Sequence, residues 1–358
     1  METHYFTHSA LSLPILCLST LSFGKASAKV PALFIFGDST ADVGTNNFLP
    51  EGQARADHPF YGIDFPNSTP TGRFSNSFNS ADFLGSRSPP PFLFLLSKHL
   101  GIEKHAHKGV NFASGGAGLL DITGQLLQVV PLSEQIEQFV TVHNNLTALR
   151  GSKATGKLLS KSIFCISVGS NDIFGYFLSN SSIPKKQFFS TLLCQYEADV
   201  KALYRLGARK FGIISIPPTF QFHRGLLEPV NELAQDFYSA LDDLLCRLFR
   251  ASGDEVLTGN AYEMTINVIQ NPHPFRKQPP LKLKNFNNVE TVCCGVGRFN
   301  AELPCNATAK LCKTRNNFVF WDMFHPTQAA FQLTAVILHD GEARFVAPVN
   351  FRKLTEDC

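Results

Sequence analysis

An almost wholly apolar run at residues 30–36 ends abruptly at Gly37-Asp38-Ser39-Thr40. The pattern returns twice: 163–168 closes on Gly169-Ser170-Asn171-Asp172, and 211–216 closes on Pro217-Pro218. Runs this short and this apolar mark strands covered on both faces. Between them the apolar period changes. Residues 131–150 place Leu132, Ile136, Phe139, Val140 and Val142 on one side of a helix. Residues 186–206 do the same with Phe189, Leu192, Leu193, Tyr196, Val200 and Leu203, and Gly207 stops that helix. A third, long amphipathic helix is expected at 226–250, with an interruption near Pro229. Strands alternating with helices, without a meander of hairpins, predict an α/β fold with a parallel sheet between helical layers. Active crevices of such sheets lie outside the carboxyl ends of the strands. Ser39, Gly115, Gly116 and Asn171 all fall at such ends.

The shorter elements follow from punctuation. Residues 46–70 read as loop, 81–84 as part of a helix ended by three prolines at 89–91, and 92–100 as another helix. Residues 110–118 are a short strand entering a glycine-rich turn, 254–257 a short strand, and 271–317 a loop. A terminal helix spans 327–338 with Pro326 at its first position. After the opening strand, Gly37 suits a tight turn, and Asp38-Ser39-Thr40 offers N-cap chemistry for a following helix.

Residues 1–28 read as a cleaved secretory signal. An apolar stretch at 10–23, too short to span a bilayer, leads to Ala26-Ser27-Ala28, although Lys and Arg are missing ahead of it. Residues 29–358 are then expected to be a single domain. With 44% hydrophobic and 17% charged residues the chain can bury a substantial core and is not a disordered composition. Its net charge of +3 comes without clustered basic runs, which argues against nucleic acid as a partner, and no second apolar stretch is a transmembrane segment. Cys293, Cys294, Cys305 and Cys312 crowd into one polar stretch; in a secreted chain they predict disulfides, with the pairing open. Cys165, in a strand pattern, is expected as a buried thiol. Sequons at Asn67, Asn145, Asn180 and Asn306 predict glycosylation of some of them.

A serine at a strand end has reactive value only with a base beside it. Of eleven histidines, His325 has the best setting: it follows Trp321 in a turn before a helix, with Asp322 three residues earlier. That D-x-x-H spacing lets the carboxylate orient the imidazole; the alternative is that Asp322 caps the terminal helix and His325 packs there. Acyl transfer also needs oxyanion donors. The Ser39 N–H, a Gly115 or Gly116 N–H and the Asn171 amide are the candidates, against turn glycines and an Asx-turn asparagine. The chain contains no G-x-x-x-x-G-K-[ST], H-E-x-x-H or G-x-S-x-G pattern.

Together these residues resemble the GDSL (SGNH) hydrolases, in their plant secreted branch. Phe36-Gly37-Asp38-Ser39 with Ala41-Asp42-Val43-Gly44-Thr45-Asn46-Asn47 is similar to the first block, and Asn111-Phe112-Ala113-Ser114-Gly115-Gly116-Ala117-Gly118 to the second. Val168-Gly169-Ser170-Asn171-Asp172 is similar to the third and Trp321-Asp322-Met323-Phe324-His325-Pro326-Thr327 to the fifth. Tyr61-Gly62-Ile63-Asp64-Phe65-Pro66, Pro70-Thr71-Gly72-Arg73-Phe74-Ser75-Asn76 and Cys293-Cys294-Gly295 also look like that branch. The resemblance implies a three-layer α/β/α sandwich of flavodoxin-like type and a serine esterase or lipase that needs no metal or cofactor. It implies Ser39 as nucleophile, His325 as base, Asp322 as its orienter, and the Ser39 N–H, Gly116 (with Gly115 as alternative) and Asn171 as the oxyanion hole. The implied setting is extracellular, in the cell wall or apoplast of a plant. The substrate is a small-molecule or polymer ester: a lipid, a cutin-like polyester or an acetylated polysaccharide. An acyltransferase with the same triad, or a non-catalytic secreted binding protein on the same fold, are the rivals. Two departures stand out: Thr40 replaces the family's leucine, and Thr219-Phe220-Gln221-Phe222 replaces a Gly-Cys-containing turn.

Overall fold

A computed structural model describes residues 30–50, 54–85, 88–218, 228–250, 254–272 and 286–356. The expected signal at 1–28 and the departure at 219–222 lie outside these residues. The strands are β1 (Leu33–Gly37), β2 (Gly109–Asn111), β3 (Ile163–Ser167), β4 (Lys210–Ile214), β5 (Glu255–Gly259), a short pair β6 (Cys294–Gly295) and β7 (Lys310–Leu311), and β8 (Val346–Pro348). Six of them form one sheet in the order β2-β1-β3-β4-β5-β8. The first five run parallel; β8 adds an antiparallel edge that the sequence pattern did not announce.

Alternation along β1 builds both cores. Phe34 and Phe36 point to one face, where Phe139 and Phe164 meet Phe34 with ring centroids 5.1 Å away in each case. Leu33 and Ile35 point to the other, among Cys165, Met264, Leu333 and Ile337. The first face is covered by α2 (Phe92–Ser97), α3 (Ile102–His105), α4 (Leu132–Arg150), α5 (Ser152–Lys161), α6 (Ser170–Leu178), α7 (Lys185–Arg205) and α8 (Glu228–Phe249). The second is covered by α1 (Ser80–Phe83), α9 (Ala261–Gln270), α10 (Gln328–Asp340) and α11 (Phe351–Glu356). The result is the expected three-layer α/β/α arrangement. Pro229 does not interrupt α8: it is the second residue, where a missing N–H leaves no helical bond unmade. Cys165 is a buried free thiol, pushed up to about 12 by burial.

Three local expectations need correction. No α-helix follows Ser39; the Asp38 carboxylate folds onto its own turn, accepting from the Thr40 N–H at 3.0 Å and the Thr40 hydroxyl at 2.8 Å. Such local bonds compete with helix capping. Pro326 is not the first residue of α10, which begins at Gln328 behind an N-cap at Thr327. That cap also removes Asp322 from the capping role. The loop at 271–317 contains the β6–β7 pair, pinned by the disulfides Cys293–Cys312 and Cys294–Cys305.

The strand order places the reversal of winding between β1 and β3, and crevices in open α/β sheets form at that point. Ser39 stands two residues past the end of β1. Gly37, at φ 149°, lets the chain pass β3 closely: a Cβ there would lie 2.2 Å from the Ser167 carbonyl oxygen.

Candidate active site

The crevice draws on several separate stretches of chain. From the first, Ser39 presents its hydroxyl 2.8 Å from Nε2 of His325. Nδ1 of the same ring stands 2.8 and 2.9 Å from the two carboxylate oxygens of Asp322. Asp322 and His325 are buried, and Ser39 is half-buried. The turn that joins acid and base is self-bracing, because Asp322 Oδ1 also accepts from the N–H groups of Phe324 and His325, each at 2.8 Å. Burial alone pushes the Asp322 carboxyl up, but the charge and hydrogen bond of His325, the Phe324 N–H and the Tyr61 phenol together hold it below its ordinary value. Rings close around the imidazole: Phe74 at 5.0 Å and the half-exposed Phe324 at 6.1 Å, with Phe174 of α6 5.7 Å beyond Phe324.

The end of β1 is clamped from α4. Gln135, buried among the apolar residues of that helix, accepts from the Gly37 N–H at 2.8 Å and donates to the carbonyls of Gly37 and Val130, each at 2.9 Å. On the other side, the Asp38 N–H donates to the Ser167 carbonyl at 3.0 Å, and the Thr40 and Ser167 hydroxyls are 3.1 Å apart. Asp38 is pushed up to about 6 by burial, against the pull of its two bonds to Thr40.

Two more carboxylates frame the glycine-rich turn after β2. Asp42 accepts from the N–H groups of Gly44 and Thr45 at 2.7 Å each and of Gly115 at 2.9 Å; burial pushes its carboxyl up to about 6. Asp172, near the start of α6, accepts from the N–H groups of Leu119 and Leu120 at 2.8 and 3.1 Å and from the Thr123 hydroxyl at 2.7 Å; burial raises its pKa too. These contacts separate the two candidate glycines. The Gly115 N–H is already donated to Asp42, whereas the Gly116 N–H has no acceptor among the described residues. Gly116 has φ 89°, and Leu127 and Val129 pack over it. The Asn171 side-chain amide donates to the Ala117 carbonyl at 2.8 Å, which leaves its second N–H hydrogen unused by that bond. The Ser39 N–H likewise has no acceptor among the described residues.

Of the sequence-derived candidates, Ser39, His325 and Asp322 are brought into contact, and Asn171 and the glycine turn are tied together through Ala117. Sequence reasoning missed the contributions of Tyr61, whose phenol reaches Asp322, and of Gln135, Asp42 and Asp172. A polar residue on the inner face of an apolar-periodic helix was the available signal for Gln135, and the Asp42-Val43-Gly44 turn pattern was that for Asp42. Among the sequons, Asn67, Asn180 and Asn306 are exposed, whereas Asn145 lies within α4 and donates its amide to the Thr141 carbonyl at 2.8 Å. Among the described residues, no group of three acidic, His or Cys side chains is placed to hold a metal ion, and no helix is long and apolar enough to cross a membrane.

The GDSL-like lipase/acylhydrolase profile matches residues 33–336. The Arabidopsis thaliana protein GDSL esterase/lipase At5g55050 is 34% identical over 91% of this chain and 90% of its own length. GDSL esterase/lipase LTL1 of the same plant is 32% identical over 96% and 95%. Among solved structures, a lipase from a goat rumen metagenome aligns at 11% identity and a TM-score of 0.35, covering 85% of this chain and 94% of that one.

Proposed function

The chain belongs to the GDSL-like lipase/acylhydrolase family and is a carboxylic ester hydrolase, and from that premise we propose that it works through an acyl-enzyme on Ser39. One observation carries this reading: the unbroken line of contacts from the Ser39 hydroxyl through His325 to Asp322. His325 Nε2 takes the Ser39 proton as the oxygen attacks the ester carbonyl, and Asp322 stabilises the imidazolium that forms. The developing oxyanion is met by the N–H groups of Ser39 and Gly116 and by the free amide hydrogen of Asn171. Gly116 takes precedence over Gly115 because the latter already serves Asp42. Nε2–H then protonates the departing alcohol. Water, deprotonated by the same nitrogen, attacks the acyl-enzyme and releases the acid with Ser39 regenerated.

The same reading has residues 29–358 working as one secreted domain after loss of residues 1–28. The two disulfides support an oxidising, extracellular setting, and exposed Asn67, Asn180 and Asn306 are the glycosylation sites it favours over Asn145.

The test is Ser39→Ala. Hydrolysis of a short-chain aryl ester is expected to fall by about 10⁴-fold or more with folding intact, and labelling by a serine-directed fluorophosphonate to vanish. Undiminished turnover would sink the assignment. Running the wild type with an added alcohol separates hydrolysis from acyl transfer, since transfer yields a new ester.

A further inference from the structure

Tyr61 lies outside every stretch that supplies a reacting group, yet its hydroxyl donates to Oδ2 of Asp322 at 2.7 Å across 261 residues of sequence. The two carboxylate oxygens are held differently. Oδ1 is fixed by its own turn, through the N–H groups of Phe324 and His325. Oδ2 has only Tyr61 besides the imidazole N–H that both oxygens share, among the described residues. Tyr61 itself is wedged in place. Its ring meets Trp321 and Phe74 edge-on at 6.1 Å each and His58 at 5.0 Å, and its N–H donates to the His58 carbonyl at 3.1 Å. Trp321 immediately precedes the acid, and Phe74 touches the ring of His325. One tyrosine is therefore keyed to both members of the acid–base pair.

We infer that Tyr61 is a positioning residue of the triad, its hydroxyl fixing the plane of the Asp322 carboxylate against the imidazole and favouring its ionised form. The inference rests on the Ser39–His325–Asp322 mechanism proposed above and adds a fourth side chain to it. Burial, and then the neighbouring Asp322 charge, drive the phenol pKa well above its ordinary value, so Tyr61 stays a neutral donor while the enzyme works. A donor to the charged form of an acid favours that form. The ionised, correctly turned carboxylate is what the imidazolium needs opposite Nδ1 during attack. The ionisable groups facing this pair are His325 on the same turn, Tyr61 with His58 against its ring, and Asp38 near His325 at the end of β1.

Tyr61→Phe in the full chain keeps the ring and removes only the donor. The expected result is a fall in kcat of about tenfold or more, with KM within about twofold of wild type. The acidic limb of the kcat/KM profile, which belongs to the coupled Asp322–His325 pair, is expected to move to higher pH. The sign follows from the contact: an acid that loses a donor to its charged form protonates at higher pH. Tyr61→Leu, run alongside, reports on packing. If Tyr61→Phe keeps the wild-type kcat and pH profile while Tyr61→Leu fails, Tyr61 only fills space and the inference is overturned. An activity loss in Tyr61→Phe that merely follows its unfolded fraction, without a shifted acidic limb, overturns it equally. Ser39→Ala in the same series keeps the two readings apart, because turnover surviving there defeats the triad itself, whatever Tyr61 does.

Discussion

Thr40 stands where the family motif has a leucine, and its hydroxyl makes contacts that a leucine could not. It donates to Asp38 at 2.8 Å and meets the Ser167 hydroxyl at 3.1 Å, joining the turn that carries Ser39 to the end of β3. Asp38 is buried and pushed up to about 6, with Thr40 as the main counterweight. A carboxyl whose folded pKa exceeds its unfolded value contributes stability below the unfolded pKa that is lost as the pH rises through the folded one. Removing the Thr40 hydroxyl weakens the support of ionised Asp38 more than that of the neutral acid. Thr40→Val is therefore expected to be about 1–2 kcal/mol less stable than wild type above pH 6, with the deficit shrinking toward pH 4. Urea unfolding across that range checks it; a deficit independent of pH would mean that Asp38 does not feel the hydroxyl. At this scale the sequence was generous with the proposed reacting groups and silent on their supports. Ser39, Asp322 and His325 were readable because each carries its chemistry in a local pattern. Tyr61 was not, because its partner lies 261 residues away.

At the scale of elements, the carboxyl end of β1 depends on a helix 98 residues further on. Gln135 satisfies one N–H and two carbonyls in a region closed to water. Gln135→Leu preserves the helix and its apolar face but leaves the Gly37 N–H and the Val130 carbonyl unpaired, while the Gly37 carbonyl keeps the Ser114 N–H at 3.0 Å. At about 1–3 kcal/mol for each of these two unsatisfied buried groups, a loss of roughly 2 kcal/mol or more is expected. It would be read as a lower urea midpoint with an unchanged slope; a midpoint within error of wild type would show that the strand end does not need the clamp. The helix itself was legible, since Leu132, Ile136 and Phe139 repeat at helical spacing. The bond partners of Gln135 were not, because periodicity reports which face is inward and never what it meets. Smaller elements escaped for reasons of their own. α6 opens on the polar Ser170, Asn171 and Asp172, which read as the end of a strand, and β8 has three residues, one of them Pro348. The absent helix after Ser39 is a case where Asp38 had two local uses and took the other.

Across the whole molecule, the sheet positions the serine and the oxyanion candidates, while the turn that carries Asp322 and His325 hangs from a separate small core. That core packs Tyr61, Phe74 and Trp321 against Cys293, Cys294 and Cys305. The adjacent cysteines reach the turn through the backbone: the Cys293 N–H donates to the Phe320 carbonyl at 3.1 Å and the Cys294 N–H to that of Trp321 at 2.7 Å. The residues next to Asp322 are thus tied to a hairpin that two disulfides cross-link. Cysteine crowding announced the bridges but not this connection, which exists only once β6 lies beside the turn. Cys294→Ser combined with Cys305→Ser opens the bridge of sequence separation 11 and leaves Cys293–Cys312 intact. Loop-closure entropy alone puts the stability loss at about 2–3 kcal/mol. Val292 and Ala301 beside and within that hairpin add to the apolar cluster on the second face of the sheet, but no strand of the sheet pairs with it, so the variant should remain folded at moderate temperature. Its Asp322 turn should be less well held, giving a severalfold lower kcat with fluorophosphonate labelling of Ser39 slowed in parallel. Comparing kcat with the folded fraction at one temperature decides the matter. A kcat that tracks the folded fraction alone would confine the disulfide to stability; a kcat that falls well below it would make the hairpin part of the catalytic apparatus.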